Sequence, residues 1–213
     1  MTTLILIRHG QSQSNLARIF TGHLDIPLTD FGHQQAQLTA EHITANYKVD
    51  RVYASDLCRA FATGKAVADR LGLDVIAHRN LREIWAGQWE GKAFDALGVE
   101  FPESYHTWRF DIGRCVCDGG ESVAALQQRV VGTLETIARE NDGKTIVVAT
   151  HATPIRTLQC HCKGLPLSEM KNIPWVTNAS ITVVSFDGGS FRLIQEGYDA
   201  HLQDKVSRFP KNV

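Results

Sequence analysis

With 213 residues the chain is long enough for one domain with a sizeable core. Hydrophobic residues make up 43% and charged residues 21%, the balance of a folded globular protein, not of a disordered or fibrous one. The formal net charge of -1 excludes a broadly basic nucleic-acid surface, and no apolar run approaches the ~18 residues of a membrane-crossing helix.

No basic segment followed by a long apolar stretch opens the chain, so a secretory leader is not expected. The five cysteines (Cys58, Cys115, Cys117, Cys160 and Cys162) are odd in number and read as reduced thiols in the cytoplasm. Cys160-His161-Cys162 lacks a second ligand pair, and a helix would point its two cysteines apart. A plain helical segment is the preferred reading there, and no metal is expected.

The first element is Leu4-Ile5-Leu6-Ile7, a short unalternating apolar run that predicts a strand buried on both faces. It delivers Arg8, His9 and Gly10 to its carboxyl end, the edge at which open α/β sheets bind ligands. Arginine offers a planar fork of donors to an oxyanion. Histidine is a base or nucleophile near neutral pH. Glycine lets the backbone approach a ligand closely. The competing plain reading is a strand that simply ends in a charge and a turn. Small polar residues follow from Gln11 to Asn15, and Asn15 is a candidate donor to a phosphate oxygen. In the next loop Thr21 and Gly22 are small enough to cup an anion.

Thr29 or Asp30 is expected to cap a helix running to about Tyr47, with Ala36, Ala40 and Ile43 on its buried face. Arg51–Ala54 is a short strand, after which Ser55 or Asp56 is expected to cap a helix through about Leu71. Arg59 lies in its first turn, where a cation opposes the helix dipole unless an anion binds there. Asp74–Ala77 is a third strand. Glu83 then sits among Leu81, Ile84 and Trp85. A carboxyl in apolar surroundings is held in its acid form, which makes it a candidate general acid; a surface glutamate is the alternative.

Residues 92–118 are irregular and rich in aromatics, including Phe94, Phe101, Tyr105, Trp108 and Phe110. They read as a helical excursion over the sheet edge, either a lid or a satellite core. Asp118-Gly119-Gly120-Glu121 resembles a capping box for a helix that buries Val123, Leu126, Val130, Leu134 and Ile137. A second buried strand, Lys144–Thr150, then delivers His151 as the first delivers His9. A helix from Ala152 to about Gly164 follows. Two strands, Asn178–Phe186 and Ser190–Glu196, are joined at Asp187-Gly188-Gly189, a hairpin signal. The tail from Gly197 shows little pattern and is expected to be loosely held.

Together Arg8-His9-Gly10, Asn15, Thr21-Gly22, Arg59, Glu83 and His151 resemble the histidine phosphatase superfamily, the family of cofactor-dependent phosphoglycerate mutases and related phosphatases. The match runs from Leu4 to about Ile181. Pro27-Leu28-Thr29, Ser55-Asp56-Leu57, Gly119–Ser122 and Asn178-Ala179-Ser180 add to it. The resemblance implies a three-layer α/β/α fold with a central, mostly parallel sheet. It implies that His9 is the nucleophile and forms a phosphohistidine. Arg8, Arg59 and His151 would hold the phosphoryl oxygens, and Glu83 would move the proton. Gly10, Asn15, Thr21, Gly22 and Ala152 would be secondary contacts. No cofactor is implied, because arginine and histidine supply the positive charge.

Departures from the mutase pattern favour a phosphatase of small monoesters. Mutases carry Glu-Arg-His-Tyr-Gly where this chain has Glu83-Ile84-Trp85-Ala86-Gly87. They carry adjacent arginines in the excursion, whereas Arg109 and Arg114 are separated here. They follow the second histidine with Gly-Asn in place of Ala152-Thr153. A mutase and a catalytically silent phospho-ligand-binding protein are the competing readings. The expected partner is a small phosphorylated substrate, with no nucleic acid and no membrane; homodimer or monomer stays open.

Overall fold

The computed structural model describes residues 1–207. In chain order the strands and helices are β1 (Thr2–Arg8), α1 (Gln13–Ala17), α2 (Asp30–Asn46), β2 (Arg51–Ala54), α3 (Cys58–Leu71), β3 (Val75–Ala77), α4 (Phe94–Glu100), α5 (Pro102–Phe110), α6 (Val123–Glu140), β4 (Thr145–Thr150), α7 (Ala152–Cys162), β5 (Ile181–Asp187) and β6 (Ser190–Tyr198). The strands form one sheet in the order β3-β2-β4-β1-β5-β6. Pairing is parallel between β1 and β4, β2 and β4, and β2 and β3; β5 is antiparallel to both of its neighbours, β1 and β6.

The unalternating sequence of β1 has a direct cause: it lies in the middle of the sheet with helices on both faces. Leu4 and Leu6 point into one core with α6 and α7, while Ile5 and Ile7 point into the other with α2 and α3. All four are fully buried, and each contributes roughly 1.5–3 kcal/mol by leaving water. Outer β3 is short and largely exposed, which limits further strand pairing at that edge. No helix of the described residues is long and apolar enough to cross a membrane.

Two expected caps are not found, because tertiary partners claim the side chains. At α3 the N-cap is Leu57, with no side-chain cap bond. Ser55 pairs with His151, Asp56 pairs with Arg82 at 2.6 Å, and the Cys58 N–H is satisfied by Asp25 Oδ1 at 2.7 Å. At α6 the cap is Ser122, whose hydroxyl accepts from Ala125 N–H. Asp118 instead accepts from Trp89 Nε1 and Ser104 Oγ, and Glu121 pairs with Arg129. Of the two candidates at α2, Thr29 is the cap.

The satellite-core reading of residues 92–118 is also corrected. Leu97, Tyr105, Trp108 and Ile112 join the main core on the α6 side of the sheet, because Trp89 and Phe20 reach across to meet them. The segment from Asn178 to Ser180 is a turn, not strand, with Ala179 in the left-handed region, and β5 begins at Ile181. The tail is not loose up to Ser207. Gln35 Nε2 of α2 donates to Lys205 O at 2.7 Å and Ser207 Oγ at 2.9 Å, and His201 Nε2 lies 2.9 Å from Thr39 Oγ1. Tail residues 208–213 lie outside the described residues.

Candidate active site

The register of β1 and β4 builds the site. Arg8 is paired with Thr150, so the next residue on each strand is a histidine. His9 N–H donates to Thr150 O at 2.9 Å, which locks His9 and His151 side by side where both strands end. A pocket of about 140 Å³ opens there, lined among others by Arg8, His9, Asn15, Thr21, Gly22, Arg59, Glu83 and Ala152.

His9 Nδ1 lies 2.7 Å from Gly10 O. A carbonyl only accepts, so Nδ1 carries the proton and the lone pair of the neutral ring is on Nε2. Burial, then the charges of Arg59 and Arg8, holds this imidazole well below its ordinary 6.5. His151 is fully buried, with Nε2 2.9 Å from Ser55 Oγ. Its Nδ1 is buried without a partner among the described residues. Burial and the nearby Arg59 and His9 charges lower this ring too.

Both guanidiniums are held by main-chain oxygens. Arg8 Nη1 donates to Val176 O at 2.6 Å, and burial lowers Arg8 to about 10, so it remains a cation at neutral pH. Arg59 Nη1 and Nη2 donate to Leu24 O and Gly22 O at 2.7 and 2.8 Å. Its Nε is buried and has no partner among the described residues. Gly22 thus serves the pocket through its carbonyl, which aims Arg59. Asp25 on the α3 N-terminus ties down the same loop.

Glu83 does not sit in the apolar surroundings expected for it. Leu81 and Ile84 are buried behind it, but the carboxylate faces backbone N–H groups: Oε1 accepts from Ile84 N at 2.8 Å and Oε2 from Thr153 N at 3.3 Å. The second donor belongs to the first turn of α7, so the helix that starts after His151 also positions this carboxylate. The Glu83 carbonyl is gripped by His23 Nε2 at 2.9 Å and Arg129 Nη2 at 3.2 Å.

Among the secondary contacts, Asn15 Oδ1 accepts from Ser12 N and Asn178 Nδ2, both at 3.1 Å, which leaves its amide nitrogen as the group for a ligand. The Thr21 hydroxyl donates to Ser14 Oγ at 2.6 Å, so its proton is already committed. Gly10 is not on the pocket wall. Its N–H donates to Thr63 Oγ1, and its missing side chain makes room for the Gly32 carbonyl of α2 instead of a ligand.

Sequence reasoning passed over several wall residues. Phe94 and Trp108 belong to the aromatic concentration that signalled a role for residues 92–118. Asn178 donates to His9 O and to Asn15, and in the sequence only its place in Asn178-Ala179-Ser180 marks it. Trp175, Arg18 and Gln11 also line the pocket, and no local pattern marks them. Glu83 is the only acid on this wall among the described residues, against three arginines. No group of three or more His, Cys, Asp or Glu among the described residues is placed to hold a metal ion.

Comparison with known families decides the affiliation. The model described as Histidine phosphatase superfamily (branch 1) matches residues 4–198. The chain belongs to this superfamily. It is 34% identical over 206 residues to Phosphoglycerate mutase-like protein 4 of Arabidopsis thaliana, covering 94% of this chain and 87% of that one. It is 30% identical over 202 residues to Phosphoserine phosphatase 1 of Hydrogenobacter thermophilus, covering 95% of each. The solved structure of Bacillus stearothermophilus YhfR superposes with a TM-score of 0.91 at 30% identity, covering 95% of this chain and all of that one. As a histidine phosphatase superfamily member with phosphatase relatives, the chain is supported as a hydrolase of phosphate esters.

Proposed function

We propose that this superfamily member hydrolyses small phosphate monoesters through a phosphohistidine on His9, without a metal. The observation that carries the reading is the state of His9: a buried imidazole whose Nδ1 proton is committed to Gly10 O, flanked by two arginines. Its Nε2 lone pair attacks phosphorus, and the phosphorus–ester oxygen bond breaks. Arg8, Arg59 and His151 stabilise the charge on the transferring oxygens. Glu83 gives a proton to the leaving oxygen. As a carboxylate it then takes one from water, which attacks phosphorus and releases phosphate from His9.

Hydrolysis is favoured over isomerisation by what faces the pocket. Arg109 and Arg114 are not on its wall, and Arg114 lies exposed beside Asp111. Among the described residues no two sequence-adjacent arginines line this pocket to grip a second acidic group of a dephosphorylated product. Phe94, Trp108 and Trp175 offer the organic part of the ester an apolar wall. Arg18, exposed on the same wall, favours a second reading in which that organic part carries a carboxylate, as phosphoserine does.

Labelled monoester, quenched in acid and in alkali, tests the mechanism. Label lost in acid, stable in alkali and mapped to His9 supports it; full turnover by His9→Ala refutes it. A monoester panel separates the two substrate readings, and interconversion of phosphoglycerates without phosphate release would establish the mutase instead.

A further inference from the structure

We propose that a second cavity, on the far side of Trp108 and Trp175 from the reaction pocket, is a binding site for a phosphate oxyanion. The cavity has a volume of about 200 Å³, room for roughly six waters at about 30 Å³ each. Arg109, Arg156 and Lys171 line it together with Asn172, and no carboxylate does so among the described residues. Arg109 and Lys171 are exposed and form the rim. Arg156 of α7 is 2% exposed and forms the floor.

Arg156 is held for this task by one side of its fork. Nε donates to Ile173 O at 3.0 Å, and Nη2 donates to Met170 O at 2.9 Å and Ile173 O at 2.7 Å. Nη1 is buried and finds no acceptor among the described residues. A buried guanidinium donor left unpaired is costly, so such groups are normally satisfied. An oxyanion supplies the missing acceptor, and the two rim cations offset its remaining charge.

Two tryptophans separate this cavity from the reaction pocket and line both. The Arg156 guanidinium lies 3.9 Å from the Trp175 ring centroid, and Trp175 lies 6.1 Å from Trp108. A ligand drawn onto Arg156 therefore bears on the wall that contacts the substrate's organic part. The ligand chemistry is a phosphate group, either free inorganic phosphate or phosphate carried on a small molecule. Binding here does not depend on the reaction assigned to His9.

Calorimetric titration of the full chain with inorganic phosphate, and separately with methylphosphonate, tests the site. Two bound anions per chain are expected, one in each cavity. In the double variant Arg109→Ala/Lys171→Ala the second site weakens at least tenfold, while turnover of a monoester without added phosphate stays within twofold. Arg156→Lys keeps the charge but loses the fork, and it weakens the same site. Its near-ultraviolet circular dichroism reports whether the fold survives. Filling by inorganic phosphate assigns the site to the free anion, and filling by methylphosphonate alone assigns it to a substituted phosphate. A single bound anion with both probes, or a second site indifferent to the rim substitutions, overturns the proposal.

Discussion

His9 and His151 meet edge to face, with ring centroids 5.1 Å apart and planes inclined at 64°. They come from positions 142 residues apart, yet they are neighbours because β1 and β4 are parallel and in a register that ends both strands together. Two imidazoles in one dry site, both near arginines, cannot readily be charged together. The pair is thereby kept ready for a dianionic ligand.

The pH profile should show this. Because the folded value of His9 lies well below 6.5, the nucleophile stays unprotonated as pH falls through 6.5. The acid limb of kcat/KM, which reports the free enzyme, is therefore expected well below pH 6.5. Arg59→Gln removes one cause of the shift, so the limb should move upward. Losing a charge-assisted hydrogen bond worth about 1.5–3 kcal/mol should also lower kcat/KM by about 10- to 150-fold. A wild-type limb at 6.5 would contradict this account of His9.

Glu83→Gln keeps the shape of the side chain and one acceptor oxygen for the stronger of its two backbone donors, Ile84 N–H at 2.8 Å, but it cannot move a proton. Turnover of alkyl monoesters should fall by about 10²–10⁴. p-Nitrophenyl phosphate, whose leaving group departs without protonation, should lose far less in a burst-phase measurement. Equal losses on both substrates would remove Glu83 from the proton's path.

Asn178 bridges His9 O and Asn15 Oδ1 at 3.1 Å each. Asn178→Ala should leave both acceptors short of a partner and free Asn15 to turn. The expected cost is about 1–3 kcal/mol in kcat/KM, with an unchanged melting temperature within a few degrees. A normal kcat/KM would mean that Asn15 is positioned by Ser12 alone.

Stability should decline in acid. His9, His151 and His201 all have lowered values, the last to about 4, and burial is the largest cause in each. The unfolded chain takes up protons near 6.5 that the folded chain refuses. The stability from these histidines is thus fully present above 6.5 and is lost as pH falls below it. As pH falls below 6.5 the melting temperature should fall with it, chiefly through the two buried rings. His201 adds a smaller, solvent-screened share, and His201→Gln should flatten the slope in calorimetric melts between pH 6.5 and 4.5.

Gly10→Ala should destabilise the fold more than it harms chemistry directly. The added Cβ would stand 2.4 Å from the Gly32 carbonyl, a backbone atom of α2 with no flexible end to swing away. Such overpacking costs about 1–3 kcal/mol, and the corresponding fall in Tm is measurable by calorimetry.

The residues before His9 and His151 show how far local pattern reaches. Leu4–Ile7 and Thr145–Thr150 announced buried strands by apolar run length alone, and the periodic face of α6 was legible because every residue in it belongs to one helix. The sequence by itself determined those elements and the chemical types at their ends, since strand burial and helix amphipathy are properties of neighbouring residues. Only the tertiary structure decided which side chains serve whom. Ser55, Asp56, Asp118 and Glu121 looked like helix caps and became partners of His151, Arg82, Trp89 and Arg129. Trp175 and Asn178 reached the pocket through a turn before β5 that places them beside β1. Apart from Glu121–Arg129, eight positions apart, contacts of this kind join residues 26 to more than 160 positions apart, and sheet register, which no local window contains, determines who meets.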